Sequence, residues 1–171
     1  MNHKILLIDN DEMFAQHLRQ ACVNEKLDLI VSTSAAQGID IAWGELPSAI
    51  VLSVELPDTN GFIVCSAIKE NPKLRKIPLI LVSSKTNQET FKRHMSLRGR
   101  ADQYFQKASP ISNLTSILLP LLLSSRENWL SEISSIPGEK PIFKKPTSSI
   151  LVWSIGAILV IAAILFLITL K

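Results

Sequence analysis

Six polar residues follow the apolar stretches of this sequence, and their types could bind and transfer a charged group. They are Asp9, Asn10, Asp11, Ser53, Ser83 and Lys107. Carboxylates can hold a hard cation such as Mg²⁺, a hydroxyl becomes a nucleophile only beside a base, and an ammonium group binds phosphate as a point charge. These side chains form one site only if the fold brings the ends of the apolar stretches together.

Short apolar runs alternate with helical patterns along the chain, and this order predicts such a fold. The predicted strands are 4–8, 27–32, 49–53, 78–83 and 102–105, and the predicted helices are 11–24, 35–43, 61–70, 87–97 and 112–123. Continuous apolar strands that each precede a helix indicate a parallel sheet covered on both faces. We therefore predict an α/β fold with a doubly wound five-stranded parallel sheet, whose ligands gather at the carboxyl ends of the strands.

Four segments, taken in order, carry a specific family resemblance. They are "ILLIDND", "LSVELPDTNGF", "KIPLILVSS" and "ADQYFQKASP". With this order and spacing, residues 3–123 resemble the CheY-like receiver domain of bacterial two-component response regulators. The resemblance implies a flavodoxin-like sheet with the strand order 2-1-3-4-5.

The resemblance also implies roles for the residues at the strand ends. A receiver accepts a phosphoryl group on an aspartate that ends its third strand, and Ser53 stands at that position here. Two acidic residues after the first strand help to hold magnesium in the family. Asp9 matches the first of them, and Asn10 replaces the second. Ser83 matches the hydroxyl residue that contacts the phosphoryl oxygens.

The two replacements change the expected chemistry. Asn10 and Ser53 remove two negative charges from the magnesium ligands, which leaves Asp9 and its neighbour Asp11. Magnesium needs anionic oxygen ligands, so we expect its binding to be weak or absent and predict no cofactor. A serine hydroxyl without a base is a poor nucleophile. The sequence therefore predicts a degenerate phosphoacceptor pocket, a pseudo-receiver and no enzyme activity.

Two further positions match the family. Lys107 corresponds to the lysine that contacts the phosphoryl oxygens, and Tyr104 corresponds to the switch aromatic three residues before it. A buried lysine without a partner is costly, so we expect Lys107 to pair with Asp9 first and Glu55 second. We also expect Glu55 to pair with Lys85 and close the mouth of the pocket.

Three interpretations of Ser53 stay open. It can be a small, hydrogen-bonded core residue at a strand end. It can be the target of a separate serine kinase. It can also belong to a site that another ligand, or protein side chains, occupy.

The end of the sequence predicts a membrane anchor. Residues 150–170 form an uncharged stretch of 21 residues, and a helix of this length, about 31 Å, matches a hydrocarbon core of about 30 Å. We predict a receiver domain over 1–123, a Ser/Pro/Lys-rich linker over 124–149 and a transmembrane helix over 150–170. Lys140, Lys144 and Lys145 precede the stretch and Lys171 follows it. The excess of positive charge predicts a tail-anchored, single-pass protein of the bacterial inner membrane with the receiver in the cytoplasm.

Composition disfavours a nucleic-acid partner. Lys and Arg number 18 against 15 Asp and Glu, a net charge of +3 with no dense basic block, and a DNA-binding output domain is not expected after residue 124. The leading hypothesis is a phosphorylation-independent module that binds another signalling protein through its fourth helix, fifth strand and fifth helix. Lys92, Arg93, Arg98 and Arg100 lie on that face, and they fit a docking patch and a solvated helix end equally well.

Two other functions stay open at this point. One is a working phosphorylation switch that uses a non-standard acceptor such as Asp11. The other is a sensor that binds a small ligand in the strand-end pocket. Magnesium-dependent labelling by a small phosphodonor separates the first of these from the leading hypothesis.

Overall fold

A five-stranded parallel sheet forms the centre of the protein, with the strand order β2-β1-β3-β4-β5. The computed structural model describes residues 3–124. The strands are β1 Lys4–Ile8, β2 Asp28–Ser32, β3 Ala49–Ser53, β4 Leu79–Ser83 and β5 Gln103–Gln106. The helices are α1 Glu12–Asn24, α2 Ala35–Glu45, α3 Gly61–Glu70, α4 Gln88–Met95 and α5 Ile111–Ser124. The predicted fold class and strand order are confirmed.

Two apolar layers, one on each face of the sheet, hold the helices in place. One layer joins the sheet to α2, α3 and α4 through residues such as Ile39, Ile68 and Phe91. The other joins it to α1 and α5 through residues such as Leu18 and Leu118. Because both faces are covered, β3 and β4 are buried along their whole length. Burial of each large apolar side chain contributes about 1.5–3 kcal/mol, so these layers fix where the strand ends lie.

Capping residues move several element boundaries from their predicted positions. The sequence predicts Asp11 and Asn87 as the first helical residues, whereas each is an N-cap whose side chain accepts a hydrogen bond from a backbone N–H three residues on. The predicted end of α2 at residue 43 is two residues early. This helix ends at Glu45, because Leu46 adopts a left-handed conformation with φ 45°.

Asp102 and Lys69 fix the start of β5. The sequence predicts this strand over 102–105, whereas it runs over Gln103–Gln106. The Asp102 side chain accepts hydrogen bonds from the Leu79 N–H, at 2.7 Å, and from the Lys69 ammonium group. Asp102 therefore ties together α3, β4 and β5 and is not a strand residue. This tie fixes the register of β5 and thus the position of Lys107, which follows the strand.

The predicted membrane helix over 150–170, and all of the predicted linker after residue 124, lie outside the described residues. They stay predictions. Between residues 3 and 124, the protein has no helix that is both long enough and apolar enough to cross a membrane.

Gly61 allows the connection after β3 to pack closely, and this contact can be tested. A Cβ at Gly61 would lie 2.0 Å from the Ser53 carbonyl oxygen and 2.7 Å from Val54 Cα. We expect Gly61→Ala to lower the free energy of unfolding by about 1–3 kcal/mol in urea denaturation, because the backbone must shift. Gly44→Ala is the matched control. An added Cβ there meets nothing within 4 Å, so this helix substitution should stabilise by up to about 1 kcal/mol. Equal effects of the two substitutions would contradict the close contact.

Candidate functional site

A buried ion pair between Lys107 and Asp9 lies at the carboxyl edge of the sheet. Lys107 Nζ is 2.7 Å from Asp9 Oδ2, and the two side chains are 8% and 0% exposed. Among residues 3–124, the Lys107 ammonium group is the one partner of Asp9 Oδ2. The Lys107 N–H donates to the Ser83 carbonyl at 2.9 Å and holds the residue in place. The predicted pairing of Lys107 with Asp9 is confirmed.

Burial makes the two charges of this pair depend on each other. Burial raises the pKa of Asp9 above its ordinary value of 3.8, while the Lys107 ammonium group and the Asp11 N–H act to lower it. The Asp11 N–H donates to Asp9 Oδ1 at 3.0 Å. Removing either charge would leave the other buried without its nearest counter-charge, which is strongly unfavourable.

Asp11 is the second carboxylate near Lys107. Its Oδ2 lies 3.4 Å from Lys107 Nζ, whereas the sequence predicts Glu55 in this place. Asp11 also accepts a hydrogen bond from the Phe14 N–H at 3.1 Å, and this bond, with the nearby ammonium group, lowers the pKa of Asp11. The Lys107 ammonium group lies 5.0 Å from the centre of the Phe14 ring, within cation–π range. Helix α1 therefore begins with residues that stabilise the buried lysine.

Glu55 binds Ser83 and Ser84 and not Lys85. The sequence predicts an ion pair between Glu55 and Lys85, and this prediction is wrong. One Glu55 carboxylate oxygen accepts a hydrogen bond from the Ser83 hydroxyl, and the other accepts one from the Ser84 N–H at 3.3 Å. The Glu55 carbonyl accepts a hydrogen bond from the Ser53 hydroxyl at 3.4 Å. Glu55 thus connects the end of β3 with the end of β4.

The turn after β3 explains this orientation of Glu55. Glu55 pairs with Asn60 in an isolated antiparallel bridge, and the Asn60 side chain caps α3 by accepting a hydrogen bond from the Phe62 N–H at 2.9 Å. The closed turn presents the Glu55 side chain to β4. The sequence does contain a signal for this contact, because Ser83 and Ser84 offer Glu55 two adjacent hydrogen-bond donors. The nearby Lys85 favours the prediction of an ion pair instead.

The two strand-end serines are fully buried and have different surroundings. Besides donating to Glu55, the Ser83 hydroxyl oxygen accepts hydrogen bonds from the N–H groups of Lys85, at 3.1 Å, and Thr86, at 2.7 Å. It therefore organises the loop between β4 and α4. Ser53 makes only the long hydrogen bond to the Glu55 carbonyl among the described residues. This geometry agrees with the interpretation of Ser53 as a small core residue.

The pocket does not fit the magnesium ion that the family resemblance implies. Asp9 Oδ2 is held by the Lys107 ammonium group, Asn10 is exposed, and Ser53 supplies a buried hydroxyl where a carboxylate is needed. In the part of the chain that the structure describes, no group of three or more His, Cys, Asp or Glu side chains could hold a metal ion. The carboxylates of Asp9 and Asp11 instead pair with Lys107.

Tyr104 and His94 form a polar contact between β5 and α4. The Tyr104 hydroxyl is 2.7 Å from His94 Nδ1, and the ring centres of Phe62 and Phe91 lie 4.7 Å from His94 and 5.1 Å from Tyr104 respectively. Burial lowers the pKa of His94 and raises the pKa of Tyr104 to about 12. His94 Nε2 is buried without a hydrogen-bond partner among the described residues. The sequence offers one signal for this packing, which is the spacing of three between Phe91 and His94.

Comparisons with known sequences identify the family of this chain. The family of response regulator receiver domains matches residues 5–119. The response regulator ArlR of Staphylococcus saprophyticus is 25% identical over 141 residues, which cover 82% of this chain and 62% of that protein. ArlR of Staphylococcus aureus is 23% identical with the same coverage. The chain therefore spans about 62% of the length of these relatives.

Solved structures show the same fold. The receiver domain of the Francisella response regulator 1452 superimposes with a TM-score of 0.66 at 18% identity, over 73% of this chain and 100% of that one. The receiver domain of a signal transduction histidine kinase from Syntrophus aciditrophicus gives a TM-score of 0.63 at 20% identity, over 82% of this chain and 99% of that one. These similarities extend to the sheet and its five helices.

The buried ion pair gives a prediction for stability. Lys107→Met keeps most of the side-chain volume but leaves the Asp9 carboxylate buried without its counter-charge. We expect the free energy of unfolding, measured in urea, to fall by about 3–5 kcal/mol. In the double variant Asp9→Asn with Lys107→Met, most of the loss should be recovered because no lone charge remains.

Lys4→Met provides the matched control for this experiment. The Lys4–Glu45 ion pair has both side chains 47% exposed, so its loss should cost no more than about 1 kcal/mol. A similarly small loss for Lys107→Met would contradict the account of the buried pair.

His94 gives a prediction for pH dependence. Burial places its folded-state pKa below the ordinary value of 6.5, so the folded protein binds fewer protons than the unfolded chain just below that pH. Its contribution to stability is present above pH 6.5 and is lost as the pH falls toward the folded-state pKa. We expect the free energy of unfolding to fall less for His94→Gln than for the wild type between about pH 7.5 and pH 5.5. His17→Gln, at an exposed position, should keep the wild-type slope. Equal slopes for all three proteins would show that His94 does not titrate as described.

Proposed function

Because this chain belongs to the response regulator receiver domain family, we propose that it is a receiver-like signalling module that works without phosphorylation and acts by binding another protein. Its relatives by sequence are response regulators, which supports a place in a two-component-type pathway. We propose no enzyme activity, since the Ser53 hydroxyl donates to a backbone carbonyl and has no base to activate it.

One observation carries the proposal: a carboxylate of the chain itself binds donors that would serve a phosphoryl group. The family resemblance implies that the Ser83 hydroxyl contacts phosphoryl oxygens, and here it donates to Glu55. The same carboxylate accepts from the Ser84 N–H at 3.3 Å. A carboxylate and a phosphoryl group both present anionic oxygens to such donors. Glu55 therefore provides permanently the contact that a phosphoryl group provides transiently in the family.

The charge of Lys107, on the other side of the pocket, also has its partners within the protein. Lys107, which in the family contacts the phosphoryl oxygens, is paired with Asp9 and Asp11. Ser53 stands in place of the acceptor aspartate. No charge in this part of the pocket needs a phosphate or a metal ion as its counterpart, which supports a single, locked state.

The surface proposed for the partner is formed by α4, β5 and α5. Lys92, Arg98 and Arg100 are exposed on and after α4, and they favour a partner with acidic groups. The pocket is connected to this surface through the β4–α4 loop. The Gln106 side chain of β5 donates to the Thr86 carbonyl in that loop at 2.5 Å. A loop fixed by Glu55 thus fixes the position of α4 relative to β5. We do not propose a nucleic-acid partner.

We further propose that residues 150–170 tether the module to the bacterial inner membrane, with the receiver domain in the cytoplasm. Support comes from the sequence: the stretch has no charge over 21 residues, and Lys140, Lys144 and Lys145 precede it. Positive charge collects on the cytoplasmic side of such segments. A tether would raise the effective concentration of the module toward partners in the same membrane.

Phosphotransfer provides the direct test of the proposed function. We expect no magnesium-dependent label from acetyl phosphate or from a phosphorylated histidine kinase, because Ser53 offers no carboxylate and Lys107 is occupied. Intact-protein mass spectrometry measures the label, and a receiver with an acceptor aspartate serves as the positive control. Stoichiometric, base-labile labelling at Asp9 or Asp11 would contradict the proposal. A pull-down with residues 1–145 then identifies the partner.

A further inference from the structure

The amino edge of the sheet, where the strands begin, carries the positive charge of the chain. Two segments reach this edge beside β4 and β5: 69–78, from the end of α3 to β4, and 96–102, between α4 and β5. Together they contain six Lys or Arg and two Asp or Glu, a net charge of +4. The whole chain has a net charge of +3, so the remaining residues carry no net positive charge. The excess is concentrated at one place and is not spread over the surface.

The Lys69 ammonium group holds these two segments together. It donates to the carbonyl groups of Arg75, at 3.2 Å, and Ile77, at 2.9 Å, in the first segment. It also donates to the Asp102 carboxylate in the second segment. The backbones of the two segments therefore form one fixed frame, and the basic side chains that project from it stay close to one another.

Three arginines of this frame are available to an external ligand. Arg75, Arg98 and Arg100 are exposed, and they form none of the ion pairs found among residues 3–124. Gly99, between two of them, packs directly on α3, since a Cβ there would lie 2.8 Å from Ser66 Cα. A guanidinium group binds a phosphate group through two parallel hydrogen bonds. These three side chains thus suit a ligand with phosphate groups.

Two exposed leucines lie at the same edge as the arginines. Leu97, next to Arg98, is 52% exposed, and Leu123, in the last turn of α5, is 76% exposed. Helix α5 begins beyond the carboxyl end of β5 and packs back along the sheet through Leu118 and Leu122, so its last turn reaches the amino edge. Positive charge beside exposed apolar side chains is the combination that binds the interface of anionic membranes.

The chain also leaves the domain at this edge, and this favours lipid over an acidic protein as the ligand. Helix α5 ends at Ser124, and the uncharged stretch proposed as the membrane anchor begins at residue 150. From 124 to 150 the chain can span at most about 90 Å. An anchor would therefore keep the amino edge near the bilayer in every copy of the protein. Anionic lipids of the cytoplasmic leaflet attract basic residues held near them.

We propose that Arg75, Arg98 and Arg100 bind the phosphate groups of anionic lipids in the membrane that anchors the chain. The Leu97 and Leu123 side chains enter the interface beside them. This inference rests on the proposed membrane tether, and it does not depend on how a partner protein is recognised. The amino edge of the sheet then faces the bilayer, and the carboxyl edge with its pocket faces away from it.

Lipid binding divides the basic residues near α4 between two ligands. Arg98 and Arg100, which follow the helix, contact lipid, whereas Lys92 on the helix is exposed and stays on the partner face. Because the edge of the sheet lies on the membrane, the face of α4, β5 and α5 stands roughly perpendicular to it. This orientation presents the face to a partner in the same membrane.

Quenching by lipid tests the proposal in the full chain, reconstituted in vesicles. A fluorescent dye is attached to Ser96→Cys, at an exposed position beside the arginines, and the vesicles contain lipids with a nitroxide near the headgroup. The native Cys22 and Cys65 are buried, and burial raises their pKa to about 11 and about 12, so they react poorly with the dye. Quenching should be at least about twofold stronger with about 30% phosphatidylglycerol in phosphatidylcholine than with phosphatidylcholine alone. A dye on Met13→Cys, 61% exposed at the start of α1, should show no such difference.

Two variants with reversed charges separate this site from the overall charge of the protein. Arg98→Glu with Arg100→Glu should abolish the extra quenching, because each basic residue near an anionic surface strengthens binding about fivefold. Arg19→Glu with Lys85→Glu changes the net charge equally at exposed positions outside the two segments, and it should keep the extra quenching. Equal quenching of the Ser96→Cys dye in both kinds of vesicle would overturn the proposal, as would an equal loss in the two variants.

Alkaline extraction of the same vesicles reports separately on the tether. A chain that alkali releases is not inserted, and the proposed tether then fails. Flotation at neutral pH with the anionic but not the neutral vesicles would in that case still support lipid binding by the amino edge. A chain that alkali releases and that floats with neither kind of vesicle would overturn both.

Discussion

The buried ion pair of Asp9 and Lys107 is the constraint on which the rest of the site depends. A parallel sheet covered on both faces removes the ends of its central strands from water, so a charge placed there needs a counter-charge within the protein. Lys107 meets this need with Asp9 at 2.7 Å and Asp11 at 3.4 Å. With Asp9 and Asp11 paired to Lys107, the carboxylates after β1 serve a charge of the protein and not a metal ion. The remaining donors, at Ser83 and Ser84, bind Glu55 instead.

Asn10 and Ser53, which stand where the family resemblance implies acidic residues, have the same consequence for the pocket. Magnesium binding needs anionic oxygen ligands, and neither position supplies one. Asn10 is an exposed amide, and Ser53 fills the strand end with a small side chain that donates to the Glu55 carbonyl. The loop from Ser83 to Thr86 is then held by the protein alone. Through the Gln106–Thr86 contact, the same loop fixes the α4–β5 surface.

Sequence reasoning predicts the parts of this structure that depend on pattern and misses those that depend on local geometry. The order of apolar runs predicts the sheet, and the positions of Asp9 and Lys107 after two strands predict their ion pair. The inward turn of Glu55 depends on the bridge to Asn60, which no periodicity reveals. The start of β5 depends on the tie between Asp102 and Lys69, and the packing of His94 depends on the neighbouring rings of Phe62 and Tyr104.

Amide hydrogen exchange in the β4–α4 loop tests most directly whether Glu55 takes the place of a phosphoryl group. In Glu55→Ala, we predict exchange at the Ser84 N–H at least about tenfold faster than in the wild type, because a hydrogen bond to a charged acceptor is lost. The buried Leu52 N–H of β3 reports on global unfolding and should change much less, and Glu70→Ala, at an exposed position, should leave Ser84 unchanged. Unchanged exchange at Ser84 in Glu55→Ala would contradict the account.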